Sequence, residues 1–140
     1  MPEESTTTGL VQLTRCAVEA AANGDYDPVI SVLSPDAVWD GTRQGLFVYE
    51  GHAAIREFLE EWHGSFDGYS VKVEEDTDLG RGIIFSILVN TGHLKGSSGE
   101  IKLRYATIGE WTDGLCKRVA TYTDIDEARA TAERLAKSRG

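Results

Sequence analysis

The chain has 140 residues, and its 14 Lys and Arg against 23 Asp and Glu give a net charge of −9 at pH 7. This length suits a single domain that encloses a core and a pocket. The charge is spread along the chain without a basic stripe, which argues against nucleic acid or an anionic membrane surface as a partner. The longest apolar run is too short to cross a membrane, and the first residues lack the pattern of a signal peptide. We therefore predict a cytoplasmic protein.

The first half of the chain shows the periodicity of helices. Apolar residues recur at helical spacing over 9–22, and residues 1–8 are either a frayed terminus or the lead-in to this helix. A short second helix is expected with Asp27 as its cap and Pro28 at its first position. A third helix is predicted from His52 to about His63, between two glycines.

The strands are concentrated in the second half of the chain. Two short strands are predicted at 37–40 and 46–49, before the third helix. Four more follow as an antiparallel meander, at 70–75, 82–90, 100–108 and 116–123. A terminal helix over 126–138 has only a thin apolar stripe, so we expect it on the surface. This order predicts an α+β domain whose N-terminal helices pack on the concave face of a curved antiparallel sheet.

The strand at 82–90 is apolar on both of its alternating faces. Ile83 and Phe85 point to one side, and Ile84 and Leu88 to the other. Such a strand needs cover on both sides, and the N-terminal helices supply cover on one. We therefore expect a homodimer through the open sheet face.

Asp40 is the candidate catalytic residue, because it ends the first strand amid apolar neighbours. If strand alternation turns Val38 and Asp40 towards the third helix, the carboxylate faces an apolar enclosure that raises its pKa. A carboxylate with a raised pKa can act as a proton-transfer base near neutral pH. The alternative is a surface aspartate in a strand-end turn beside Gly41.

The histidines and cysteines do not have the spacing of a metal or redox site. His52 and His63 share a rough helix face, but no third ligand has suitable spacing. Cys16 and Cys116 lie far apart in the sequence, and we expect both to be buried free thiols. We predict that no metal or cofactor is needed.

Four segments resemble, in order, the SnoaL-like branch of the nuclear transport factor 2-like superfamily, which also holds the ketosteroid isomerases and scytalone dehydratase. They are GDYDPVISVLSPDAVWD, YEGHAAIREF, DGLCKRVATYTD and DEARA. The resemblance covers about residues 9–135 and implies one SnoaL-like domain over 1–140. It implies a cystatin-like, cone-shaped α+β fold and a homodimer. It says little about activity, because this scaffold hosts several enzyme classes and non-catalytic binders.

The resemblance places Asp40 at the proton-shuttling aspartate of the ketosteroid isomerases. The tyrosine of their first helix falls at Ala17 and the acid of their penultimate strand at Thr107. Since that strong pair of donors is absent, we do not choose steroid isomerisation as the first hypothesis. Tyr105 or Thr107 would then bind a developing oxyanion. The rest of the implied cavity wall is Val32, Val38, Phe58, Leu59, Trp62, Ile84, Ser86, Leu88, Asn90, Leu103, Val119, Thr121 and Thr123.

Two functional hypotheses follow. In the first, a cavity enzyme binds a small hydrophobic carbonyl compound, and Asp40 removes a proton alpha to the carbonyl in a cyclisation, isomerisation or elimination. In the second, the chain is a binding or accessory module and Asp40 is structural. An open apolar pocket with a dry Asp40 of raised pKa favours the enzyme. Exposure of Asp40 to water favours the binding module.

Overall fold

A computed structural model describes residues 2–139, with the side chains of residues 9–139. Its helices are α1 (Pro2–Ala22), α2 (Asp27–Val32), α3 (His52–Gly64) and α4 (Ile125–Ser138), with a single 3-10 turn at Thr42–Gln44. Its strands are β1 (Leu33–Asp40), β2 (Val48–Glu50), β3 (Phe66–Asp78), β4 (Ile83–Leu94), β5 (Glu100–Thr112) and β6 (Leu115–Tyr122). The predicted α+β arrangement is confirmed.

All six strands form one sheet in the order β2-β1-β6-β5-β4-β3. Strands β3 to β6 are the predicted antiparallel meander. The sheet as a whole is mixed, because β1 runs parallel to β6. These two strands come from opposite halves of the chain, so no hairpin constrains their relative direction.

The first two helices differ in detail from the prediction. Helix α1 begins at Pro2, so the described part of the polar segment is the lead-in to a helix. In α2, Tyr26 takes the N-cap position without a side-chain hydrogen bond, and Asp27 lies in the first turn. Asp27 is therefore not the cap, but its carboxylate still lies where the helix dipole favours negative charge.

The sheet has helices on both faces. The inner face carries α1 to α3, which enclose a cluster that includes Leu33, Ile55 and Ile84. The outer face carries α4, whose Ala128 and Ala132 are fully buried against the sheet. The opposite side of α4 is exposed at Glu133 and Arg134, so the helix lies on the surface as expected, and its thin stripe of small alanines is sufficient to pack it on the strands.

Helix α4 changes the reason for expecting a dimer. It covers the outer side chains of β4, where Ile83, Phe85 and Ile87 are at most 4% exposed in the single chain. The two-sided apolar pattern of β4 is thus satisfied within one subunit. Homodimerisation stays a prediction that rests on the family resemblance alone.

Candidate functional site

A cavity of about 150 Å³ lies between α1 to α3 and the inner face of the sheet. Strand alternation explains its wall, since every second residue of a strand faces the same side. The wall contains Thr14, Ala17, Val18, Ala21, Ala22, Val29, Val32, Leu33, Trp39, Gln44, Leu46, Phe58, Leu59, Trp62, Tyr69, Val71, Ile84, Leu88, Tyr105, Thr107, Gly109, Trp111, Cys116, Val119 and Thr121. Most of these side chains are apolar, as expected for a small-molecule pocket.

Many of the predicted wall residues do line the cavity. They are Val32, Phe58, Leu59, Trp62, Ile84, Leu88, Tyr105, Thr107, Val119 and Thr121. Others do not: Asp40, Val38, Ser86, Asn90, Leu103 and Thr123. The prediction missed Trp39, Tyr69 and Trp111, which bring large aromatic surfaces to the cavity. The sequence did contain a signal for the position of the cavity: the small residues Ala17 and Ala21 of α1 leave space between this helix and the sheet.

The side chains of β1 point to the opposite faces of the sheet from those predicted. Trp39 lines the cavity, whereas Val38 and Asp40 point to the outer face. The pairing of β1 with β6 shifts register between Leu33 and Val38. The alternation of β1 nevertheless holds across this shift, since Leu33, Ala37 and Trp39 all belong to the inner cluster. Alternation defines the two faces of a strand but not which of them the helices cover, and the prediction chose the wrong one.

Asp40 is held by polar partners outside the cavity. Its Oδ1 accepts hydrogen bonds from the backbone N and the Oγ1 of Thr42, at 3.0 and 2.6 Å, and its Oδ2 lies 2.5 Å from the guanidinium of Arg118. The hydrogen bonds from Thr42, and then the Arg118 charge, hold the pKa of Asp40 below its ordinary value. The prediction of a dry Asp40 with a raised pKa is wrong, and the alternative of a strand-end turn is close to the observed geometry.

We expect Asp40→Asn to lower stability at neutral pH and to matter less in acid. Because the pKa of Asp40 in the folded chain lies below its ordinary value of 3.8, its carboxylate stabilises the fold above that pH, and this contribution is lost as the pH falls through the folded pKa. Urea unfolding of wild type and variant at pH 7 and pH 3 measures the difference. The gap should be smaller at pH 3 than at pH 7, and a gap that widens in acid would contradict the assignment. Asp67→Asn, at an exposed carboxylate, is the control.

Several polar residues of the inner face that were predicted to contact a ligand form hydrogen bonds with other side chains of the protein. The hydroxyl of Tyr105 donates to Oδ1 of Asn90 at 3.2 Å. Ser86 donates to Oδ1 of Asp76 at 2.6 Å, and Arg15 of α1 pairs with Oδ2 of the same carboxylate at 2.8 Å. The side chains of Ser86 and Asn90 therefore form hydrogen bonds within the protein, as buried polar groups usually do, and are not directed at a ligand.

Two polar atoms of the cavity wall have no such partner. The indole Nε1 of Trp39 and the Oγ1 of Thr121 are buried, and neither has a hydrogen-bond partner among the described residues. An unpaired buried donor costs roughly 1–3 kcal/mol, so such atoms are rare in folded proteins.

The cavity wall is uncharged at neutral pH. No Asp, Glu, His, Lys or Arg is among its described side chains. Burial raises the pKa of Tyr69 and of Cys116 to about 12, and raises that of Tyr105 further still. The titratable groups of the wall therefore stay neutral, because desolvation disfavours their charged forms.

The histidines of α3 hold the helix against its neighbours. The Nε2 of His52 lies 2.9 Å from the carbonyl oxygen of Leu33, and that of His63 lies 3.1 Å from the carbonyl oxygen of Ala22. Within residues 9–139, no three His, Cys, Asp or Glu side chains are grouped as a metal site requires. Cys116 is buried as expected, whereas Cys16 is exposed, contrary to the prediction.

The sequence profile of the SnoaL-like domain family matches residues 15–119. The chain belongs to this family. Among functionally curated proteins, none matches the sequence. Within the described residues, no helix of this SnoaL-like domain has both the length and the apolar character that a membrane crossing needs.

Solved structures share the fold at low sequence identity. A putative SnoaL-like polyketide cyclase from Jannaschia sp. CCS1 is 17% identical over 90% of this chain and 92% of its own, with a TM-score of 0.72. An LEH-like epoxide hydrolase from M. tuberculosis is 17% identical over 91% of both chains, with a TM-score of 0.69. A ketosteroid isomerase-like protein from Catenulispora acidiphila, in complex with trimethylamine, is 12% identical over 86% of this chain and 91% of its own, with a TM-score of 0.71. The predicted nuclear transport factor 2-like fold is confirmed.

Proposed function

We propose that this SnoaL-like domain binds a small, neutral, hydrophobic molecule in the cavity between α1 to α3 and the sheet. The uncharged wall carries the proposal, because a charged ligand would lose its hydration there without gaining a counter-ion. A cavity of about 150 Å³ suits a molecule with a single ring. Apolar cavities of similar size stay dry and accept benzene.

Binding is favoured over proton-transfer chemistry. A cyclase, isomerase or dehydratase of the kind expected from the sequence needs a base that titrates near neutral pH and reaches the ligand. Asp40 points away from the cavity with a lowered pKa, and the titratable wall residues Tyr69, Tyr105 and Cys116 have raised pKa values. The putative polyketide cyclase and the epoxide hydrolase among the structural neighbours share this fold, and one fold can host many functions. Their activities therefore do not decide between binding and catalysis here.

The tryptophans provide a direct measurement. All three in the chain, Trp39, Trp62 and Trp111, line the cavity, so a bound ring should change their fluorescence. We expect toluene to bind and benzoate, which has a similar size but a negative charge, to bind at least about tenfold more weakly. Equal affinities would contradict an uncharged site.

A cavity-filling variant tests the location. Ala17→Phe introduces a ring from α1 into the cavity and should abolish toluene binding. Gln12→Phe places the same ring on the exposed side of α1 and should bind toluene as wild type does. Circular dichroism and thermal unfolding check that both variants fold. Wild-type affinity in folded Ala17→Phe would place the ligand elsewhere.

A further inference from the structure

We infer that residues 41–47, the loop between β1 and β2, form a gate through which the ligand enters and leaves the cavity, and that Arg43 holds this gate closed. The inference rests on the proposed function and adds the route to the site. Gln44 and Leu46 line the cavity from this gate loop. Every other described residue of the wall lies in an α-helix or a strand, so the gate loop is the part of the wall that can move without disrupting one of them.

The gate loop separates the cavity from bulk water by a single layer of chain. Gln44 and Leu46 line the cavity and are half-buried, whereas their neighbours Arg43, Gly45 and Phe47 are exposed. The outer side of the loop therefore faces solvent while its inner side faces the cavity. Displacing these few residues opens the cavity directly to water.

The internal hydrogen bonds of the gate loop allow it to move as a unit. The carbonyl oxygen of Gly41 accepts from the backbone N of Gln44 and of Leu46, both at 2.9 Å. The backbone N of Gly41 donates to the carbonyl oxygen of Phe47 at 2.9 Å, which closes the loop at its base. A hinge motion at the base keeps these bonds, since a few residues at the ends of a moving segment take up the change in backbone angles.

Beyond its base, the gate loop is joined to the rest of the described chain by the polar contacts of Arg43. The guanidinium pairs with the carboxylate of Glu127 in the first turn of α4. The carbonyl oxygen accepts from the backbone N and the Oγ1 of Thr123, at 3.4 and 3.3 Å. These bonds are longer than the ordinary length of about 2.9–3.0 Å, and the ion pair is partly exposed to solvent, so each contact is weak. Opening the gate therefore breaks only weak polar contacts.

The test measures how fast toluene enters and leaves the full chain, by stopped-flow tryptophan fluorescence. Arg43→Gln removes the ion pair with Glu127 and should raise the association and dissociation rate constants by the same factor, about two- to fivefold, as expected for a surface ion pair. The affinity should not change, because the gate opens more often in both the free and the bound chain and Arg43 does not line the cavity.

Arg104→Gln is the matched control. The side chain of Arg104 is 55% exposed, against 57% for Arg43, and it pairs with Glu74 in an ion pair that includes neither the gate loop nor the cavity wall. This variant should keep the wild-type rate constants. Salt gives a second comparison: because toluene is uncharged, screening of the Arg43 ion pair should bring the wild-type rates towards those of Arg43→Gln. A ratio of the two that does not change with salt would contradict the role of this ion pair.

A covalent lock tests the same gate in the opposite direction. Arg43→Cys and Glu127→Cys are combined with Cys16→Ser, which removes the exposed native thiol, and the new thiols are joined by a short bismaleimide with a reducible disulfide. The linked chain should bind and release toluene more slowly than the unlinked one. Reduction of the linker should restore the faster rates.

The outcomes separate the two proposals. Wild-type rates in Arg43→Gln, or equal rates before and after reduction of the linker, overturn the inference and leave the proposed function standing. A change in only one of the two rate constants means that Arg43 affects affinity rather than access, and it also overturns the inference. A lower melting temperature of Arg43→Gln with unchanged rates does the same, since the ion pair then serves stability alone. If toluene does not bind the wild-type chain, the proposed function fails and the inference fails with it.

Discussion

Phe85→Ala is expected to lower the free energy of unfolding by about 3–5 kcal/mol. The ring of Phe85 is 1% exposed and belongs to the cluster formed by the outer face of the sheet and α4. The guanidinium of Arg129, from α4, lies 4.6 Å from the ring centroid and adds a cation–π contact. Truncation therefore removes apolar burial, leaves a cavity and loosens the contact between α4 and the sheet.

Phe47→Ala is the matched control for this prediction, because it makes the same change at a site that is 73% exposed. Its effect should stay within about 0.5 kcal/mol. Urea unfolding of both variants gives the free energies from midpoints at comparable slopes. Similar small losses in the two variants would mean that α4 does not cover Phe85 in solution. The outer face would then be open, as the sequence-based expectation of a dimer assumed.

Gly82→Ala is expected to lower the free energy of unfolding by about 2–4 kcal/mol. Gly82 has a φ of +83°, and a Cβ at this position would lie 2.2 Å from the carbonyl oxygen of Trp111. The close approach is built into the start of β4, where the backbone N of Trp111 donates to the carbonyl oxygen of Gly82 at 2.8 Å. An alanine would combine positive-φ strain of about 1 kcal/mol with a displacement of two hydrogen-bonded backbones.

Gly80→Ala separates these two effects. Gly80 has a similar φ of +89°, but nothing lies within 4 Å of an added Cβ. Its cost should therefore be the conformational strain alone, about 1 kcal/mol. Gly82→Ala should also alter tryptophan fluorescence, because Trp111 lines the cavity. Equal stability losses in the two variants would contradict the close contact with Trp111.

The alternation within β4 was correctly predicted and is sufficient to place its side chains. Ile84 and Leu88 line the cavity, and Ile83 and Phe85 lie on the other face. The same reasoning failed for β1, where Trp39 and not Asp40 faces inward. Alternation holds in β1 as well, because Leu33, Ala37 and Trp39 share the inner face, but it defines two faces without saying which one the helices cover. The covered face is decided by how the helices pack on the sheet, which the pattern within a strand does not contain.

Sequence alone was sufficient for the order of helices and strands, the α+β class and the SnoaL-like family, because periodicity and motif order are properties of the chain itself. Only the tertiary structure determined which face α4 covers, which way Asp40 points, and which polar side chains find partners. Ser86 pairs with Asp76 and Tyr105 with Asn90 across neighbouring strands. Trp39 and Thr121 are left unpaired. These outcomes depend on contacts between residues far apart in the chain, which no local pattern encodes, and the candidate site follows from them.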